Sequence, residues 1–299
     1  MTATPLTILR PDGVEPGART LAIEAPVAVE VDGLGYAVMM MTPADLHAFA
    51  VGFMLTERLA DTAADVADVD VFEGEAGWIV RVTLAPRCAG RIHDRVRHRT
   101  SDTSCGLCGI AGLEQLKRPV PGRPPAPRAG AKAIFAALAG LRDHQPLNRE
   151  TGAVHAAAAC DADGRVLAAC EDVGRHNALD KLIGSLAPHE HSNTSRHPGL
   201  DPGPRFFDVG QDSGTPAQGR GDEGGEPTDF ILVTSRLSFE MVDKALVAGV
   251  AMLVGVSAPT TLAVEHAREH GLTLVALARS DAVLVMCDPH GVFGEAPSC

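Results

Sequence analysis

Aromatic residues are scarce: one tryptophan, one tyrosine and nine phenylalanines in 299 residues, 4% of the chain. A core built without them must be made of small and branched aliphatic side chains, and a hydrophobic content of 45% is enough to supply one. No apolar run approaches the ~20 residues needed to span a bilayer. The opening stretch, MTATPLTILRPDGVEPG, has neither the basic start nor the apolar segment of a secretory signal. Positive charge is also short. Lys and Arg number 26 against 38 Asp and Glu, a net of −12, which argues against general nucleic-acid binding. No internal repeat is present. These absences describe a soluble cytoplasmic protein with neither a membrane nor a nucleic acid as partner. In that compartment seven cysteines stay mostly reduced, and a structural disulfide framework is not expected.

The charge is unevenly spread. The stretch 188–229 carries eight acids and three arginines, and eight Gly and six Pro among its 42 residues. Such a composition cannot bury enough apolar surface to order itself, so it reads as a flexible insertion. RCAGRIHDRVRHRT, by contrast, sets Arg87, Arg91, Arg95, Arg97 and Arg99 against Asp94 alone. Residues 1–17 read as frayed. RTLAIEAPVAVEVDGLGYAVMMM reads as strands turning at Asp32-Gly33, and ADVDVFEGEAGWIVRVTLA as a hairpin turning near Gly74 to Gly77. Between them TPADLHAFAVGFMLTERLA has helical spacing, with Thr42 as N-cap and Pro43 at the first helical position.

RPVPGRPPAPRAG is a proline-rich linker and a domain boundary. Beyond it come a helix (AKAIFAALAGLRDH), two strands around an Asp-Ala-Asp-Gly turn, and EDVGRHNALDKLIGSL as a loop entering a helix. After the insertion, strands and helices alternate: DFILVTS, SFEMVDKALVAG, AMLVGVS, PTTLAVEHAREHG, LTLVALA. Short apolar strands separated by helices imply parallel pairing with helices covering the sheet. The fold class is α/β, with an α+β N-terminal domain over 18–117 and a C-terminal α/β domain over 131–287 interrupted by the 188–229 insertion.

The first domain ends in SDTSCGLCGIAGLEQL, where Cys105 and Cys108 stand two residues apart, each followed by glycine. The other cysteines read differently. Cys160, Cys170 and Cys287 fall in expected strands and read as small buried hydrophobes. Structural zinc needs four ligands, usually from two such pairs, and neither Cys88 nor Cys299 completes a second one; His93 and His98 lie near but at no diagnostic spacing. A thioredoxin-like redox pair should follow a buried strand, whereas here a basic segment precedes it. Sulfur carriage is the third reading. The thiolate is the nucleophile, nearby arginines favour it, glycines let the loop move, and a second thiol can resolve or share the sulfur by exchange. The residues permit all three.

TSCGLCG and TGAVHAAAACDADGRVLAACEDVGRHNALDKLIG, with SFEMVDKA, VSAPTTLAVEHA and MTPADLHAFAVGFMLTERL, closely resemble the FdhD family of formate dehydrogenase accessory sulfurtransferases, from about Ala22 to Val285. The resemblance implies a relay. A cysteine desulfurase hands sulfur to Cys105 as a persulfide, assisted by Cys108. The sulfur passes to the bis-molybdopterin guanine dinucleotide cofactor, with molybdenum or tungsten, before that cofactor enters formate dehydrogenase. It also implies a cytidine deaminase-like fold and a homodimer. Zinc deaminase chemistry needs His-x-Glu and Pro-Cys-x-x-Cys. HAAA and HNAL lack the glutamate, so a deaminase shape without deaminase chemistry, and with no resident metal, is expected. Rival readings are a cofactor-binding chaperone without sulfur transfer and a thiol–disulfide oxidoreductase.

The cofactor carries several phosphates, so its site should offer positive charge and free backbone N–H groups. The family's cofactor segment corresponds here to Leu277, Ala278, Arg279, Ser280, Asp281 and Ala282. Arg236 follows an expected strand, and Arg175 and His176 lie where a loop enters a helix; ligands of open α/β sheets bind outside the carboxyl ends of strands. GDP should mimic half of the cofactor. Asp172 and His176 could equally be capping or core polar groups, and His155 a satisfied core histidine. Where the family reads Ser-Gly-Arg, this chain has Ser235 in place of the glycine and keeps Arg236.

Overall fold

The computed structural model describes residues 3–96, 120, 122–187 and 227–294, the last three residues of the first stretch by backbone alone. Cys105, Cys108, His98, Cys299 and most of the 188–229 insertion lie outside the described residues.

The first strands, β1 (Ala3–Arg10) and β2 (Gly13–Thr20), form an antiparallel hairpin where the sequence reads as frayed. Nearly every residue of it is exposed, so no alternation of apolar and polar residues announced it. Its Pro5 and Pro16 are tolerated because both strands are edges.

A four-stranded sheet follows, in the order β4-β3-β6-β5, from β3 (Ala25–Val31), β4 (Leu34–Met41), β5 (Val66–Gly74) and β6 (Gly77–Leu84). Strands β3 and β6 are parallel and the other pairs antiparallel. Asp32 and Gly33 both take left-handed φ, 48° and 78°. That is the geometry a two-residue hairpin needs to match strand twist. The same face of β3 and β6 buries Val27, Val29, Val31, Val80 and Val82 against Phe49, Phe53 and Met54 of α1 (Leu46–Thr56). Helix α1 starts after Asp45, three residues later than the sequence suggested. Thr42 is not its N-cap: its N–H donates to the Asp172 carboxylate and its carbonyl accepts from Lys181, both across the molecule. A short α2 (Gly90–Val96) follows the sheet.

The largest sheet has six strands in the order β12-β11-β10-β9-β7-β8. These are β7 (His155–Cys160), β8 (Val166–Asp172), β9 (Phe230–Val233), β10 (Met252–Gly255), β11 (Thr273–Ala276) and β12 (Leu284–Cys287). Pairing is parallel through β9-β10-β11, as the strand–helix alternation implied, but β7, β8 and β12 join antiparallel, so the sheet is mixed. Alternate residues face opposite layers. Ala157, Ile231, Leu253 and Leu274 pack toward α5 (Arg175–Leu186), α6 (Phe239–Val247) and α7 (Thr261–His270). Ala158, Phe230, Met252 and Val275 pack toward α3 (Ala131–Gly140). The short α4 (Pro146–Thr151) is held by Glu171, whose carboxylate accepts from the Leu147 and Asn148 N–H groups at its start.

The two larger sheets are joined through helices. Helix α1 lies against α5 with Gly52 and Gly184 at the crossing. A Cβ on Gly52 would overlap the Asp180 carbonyl oxygen, and one on Gly184 the Ala48 carbonyl oxygen. Only hydrogen side chains permit this approach.

Candidate functional site

The sheet direction collects most of the residues singled out by sequence. Strands β8, β9, β10 and β11 all end at one edge of the six-stranded sheet, and β7 begins there with His155 opposite Asp172 in register. Arg175 and His176 open α5 two residues beyond β8. Ser235 and Arg236 follow β9, and Leu277 to Ala282 follow β11. Cys105 and Cys108 lie outside the described residues.

Backbone ties shape this edge. Leu277 takes a left-handed φ of 49°, and its N–H donates to the Ser257 carbonyl. The Ala278 N–H donates to the Gly255 carbonyl, and Arg279 N–H to the Ala282 carbonyl at 2.8 Å, closing a tight turn. Ala278 is buried by these contacts, while Arg279, Ser280, Asp281 and Ala282 stand exposed. Ser235, the residue in the glycine position, is buried and its hydroxyl donates to the Arg236 carbonyl, so the added side chain is absorbed by the backbone beneath Arg236.

Charge is distributed in a telling way. Arg58, Arg81, Arg87, Arg91, Arg128 and Arg165 each pair with a carboxylate. Among the described residues Arg175, Arg236 and Arg279 have no such partner, as is also true of Arg19, Arg142, Arg149 and Arg268 elsewhere, and Arg236 and Arg279 are exposed. The Arg175 Nε is buried and unbonded, and so is the His176 Nε2. Burial, with Lys244, Arg175 and His155 adding repulsion, pushes His176 down to about 3, so it is a neutral imidazole at neutral pH. Burial and Arg175 also lower His155, against the pull of Asp172. His155 is half-buried at the sheet edge rather than enclosed in a core. An edge with guanidinium groups not paired to a carboxylate, beside neutral imidazoles, suits a polyanion.

Asp172 has a structural task. It accepts from Gly174 N–H, Asn177 Nδ2, Thr42 N–H and, at 2.6 Å, Lys181 Nζ, all in the interior. A second buried group joins Asp180, Lys244 and Thr56 at 2.7–2.9 Å. A third sets Arg58 bidentate on Asp243, with His266 beside it. The sequence offered Asp172 as a capping or core polar group, which it is, and passed over the other two. Each lysine directly follows an aspartate, as Asp180-Lys181 and Asp243-Lys244, which in sequence is the mark of a solvated helix face and gave no signal of burial.

The described cysteines are poor nucleophiles. Cys88, Cys160, Cys170 and Cys287 are buried thiols outside any disulfide. Burial pushes Cys160 up to about 12 and Cys170 to about 11, and raises Cys88. As protonated, enclosed thiols they are hydrophobes, as the sequence suggested for the three in strands. At the opposite edge of the sheet a concavity of about 560 Å³ opens between Leu55, Arg58, Asp61, Ile183, Thr228 and Val250, none of them a sequence candidate.

The FdhD/NarQ family model matches residues 22–197 and 223–293, passing over the middle of the insertion. The chain is 36% identical over 286 residues to the sulfur carrier protein FdhD of Bordetella petrii, covering 94% of this chain and 91% of that one. It is 40% identical over 277 residues to the protein of that name from Cupriavidus necator, covering 92% and 84%. A solved structure from Desulfotalea psychrophila, provisionally described as that of a formate dehydrogenase accessory protein, superposes with a TM-score of 0.66 at 21% identity. It covers 98% of this chain and 99% of its own.

Proposed function

Because the chain belongs to the FdhD/NarQ family, we propose that it is a sulfur carrier in formate dehydrogenase maturation, loading sulfur on Cys105 and delivering it to a bis-molybdopterin guanine dinucleotide cofactor held at the arginine-bearing sheet edge. The observation that carries the cofactor half is the set of guanidinium groups of Arg175, Arg236 and Arg279, unpaired among the described residues, at the carboxyl ends of the strands.

The residues divide the work. The Cys105 thiolate attacks the outer sulfur of a desulfurase persulfide; the donor's S–S bond breaks, its cysteine leaves as thiolate, and Cys105 holds the sulfur. For delivery, the Cys108 thiolate attacks the inner sulfur of that persulfide. The Cys105–Cys108 disulfide closes, the outer sulfur leaves as hydrosulfide toward the cofactor, and the two thiols supply the two electrons. A dithiol reductant returns the pair for another cycle. Arg236 and Arg279 bind the diphosphate, the 277–282 turn presents its exposed backbone, and neutral His176 orients a phosphate or base oxygen without adding charge. The layering of the six-stranded sheet between helices supports the deaminase-like reading of the fold. A cysteine desulfurase as donor, the formate dehydrogenase catalytic subunit as acceptor, a homodimer and a cytoplasmic place complete the proposal.

Calorimetry with GDP tests the cofactor half. The parent chain should bind GDP, more weakly as salt shortens the screening length to ~10 Å at 0.1 M. Arg279→Ala should lose about 1.5–3 kcal/mol, the worth of a charged hydrogen bond. Cys105→Ala should bind like the parent. A parent that does not bind GDP, or an Arg279→Ala variant of equal affinity, removes the pocket.

A further inference from the structure

The last two turns of α7 carry His266, Glu269 and His270, positions i, i+3 and i+4, which lie on one face of a helix. One ligand atom from each falls within 4.8 Å of the other two. The hydrogen bonds around them fix which ring nitrogens are free. His266 Nε2 lies 3.2 Å from Asp243 Oδ1. Arg58 donates to both oxygens of Asp243 at 2.8 Å, the bidentate geometry of a guanidinium on an ionised carboxylate. Asp243 is therefore an acceptor only, and His266 Nε2 must donate. His270 Nδ1 lies 3.0 Å from the His266 carbonyl oxygen, which also can only accept, so His270 Nδ1 donates. In their neutral forms His266 Nδ1 and His270 Nε2 then each keep a lone pair.

Metal-binding histidines are prepared in this way: the second ring nitrogen donates to a carboxylate or a backbone carbonyl, which fixes the tautomer and the ring orientation. The two rings stand 4.4 Å apart, and Phe239 backs His266 at 4.3 Å. Arg58 clamps Asp243 with two bonds of 2.8 Å, so the carboxylate that orients His266 is itself held. Glu269 is exposed and free to turn toward the imidazoles.

We propose that His266, Glu269 and His270 bind a divalent transition ion of the zinc class through two imidazoles and one carboxylate. Bonds of about 2.0–2.1 Å place tetrahedral ligands roughly 3.3 Å apart, so the three side chains must draw together from their separations of up to 4.8 Å by rotamer adjustment. Borderline donors of this kind suit zinc, cobalt, nickel or copper rather than magnesium or calcium. Three protein ligands leave a fourth position for water. The site is separate from the arginine-bearing edge: α7 begins at that edge and ends at the opposite one, beside the Arg58–Asp243 bridge between the N-terminal part of the chain and α6. An ion there would pin α7 to that bridge.

The test uses the full chain carrying Cys105→Ser and Cys108→Ser, so that the cysteine pair cannot hold the ion. Equilibrium dialysis and cobalt(II) absorption should show one ion per chain at micromolar concentration, with the ligand-field bands of nitrogen and oxygen donors and no thiolate charge-transfer band. Zinc should compete for the same site and raise the unfolding temperature. Glu269→Gln, at an exposed position, and His270→Ala, at a half-buried one, should each weaken binding at least tenfold while the ion-free variants keep a cooperative unfolding transition. Glu265→Gln, on the same helix outside the cluster, should not. Absence of binding, a thiolate band, or equal affinity in His270→Ala and Glu269→Gln would overturn the assignment.

Discussion

Lys181 and Lys244 carry charge into the interior, and each is answered by an aspartate on α5 or at its approach. A buried pair contributes little over a well-packed apolar pair, but removing one member strands the other. Lys244→Met should therefore cost about 3–5 kcal/mol in urea unfolding, because the Asp180 carboxylate stays enclosed without its cation. The pH dependence follows from the direction of the Asp180 shift. Burial raises its pKa against the opposing pull of Lys244 and Thr56. With Lys244 gone the raising cause stands almost alone, so the folded state binds a proton more tightly than the unfolded chain does. The variant should be most stable below the ordinary carboxylate value of about 3.9 and lose stability as pH rises through the folded pKa. A Lys244→Met protein as stable as the parent, with an unchanged pH profile, would show that the pair is not coupled. None of this was legible in NALDKLIG. Adjacent Asp180 and Lys181 look like the wet face of an amphipathic helix, and they are buried only because α1 covers the face of α5 that the sheet leaves open.

Among elements, the crossing of α1 and α5 tolerates no side chain at its centre. Gly52→Ala or Gly184→Ala sets a methyl against a backbone carbonyl that cannot rotate aside, so the helices must separate. The loss should reach or exceed the upper end of the roughly 1–3 kcal/mol typical of overpacking. Gly140→Ala is the contrast: its φ of −79° is helical and nothing lies near a Cβ there. That change should stabilise by about 0.4–1 kcal/mol, through the unfolded chain. Thermal unfolding of the three variants separates the effects, and a Gly52→Ala protein that melts with the parent would contradict the crossing. Element identity was largely readable from periodicity: the Asp32-Gly33 turn, the β5–β6 hairpin, and the strands and helices after the insertion lie where the pattern set them. What escaped had a tertiary cause. The β1–β2 hairpin has no buried face to write a period of two into its sequence. Thr42 looked like a cap because Pro43 follows it, yet its backbone is engaged by Asp172 and Lys181, 130 and 139 residues away.

At the scale of the whole molecule, topology turns separated motifs into one edge. VGRHN, TSRLS and LARSD are far apart in the chain and converge only because β8, β9 and β11 run the same way. Residue chemistry could nominate the arginines; only the sheet direction aligns them. The buried cysteines narrow the sulfur chemistry from the other side, since Cys88, Cys160, Cys170 and Cys287 are enclosed. The proposed loading of sulfur on Cys105 is read directly by mass spectrometry of the full chain after incubation with a cysteine desulfurase and cysteine. One added sulfur atom is expected on the peptide containing Cys105, removed by a thiol reductant, retained in Cys108→Ala and absent from Cys105→Ala. A parent chain that gains no sulfur, or a Cys105→Ala chain that loads fully, would contradict it.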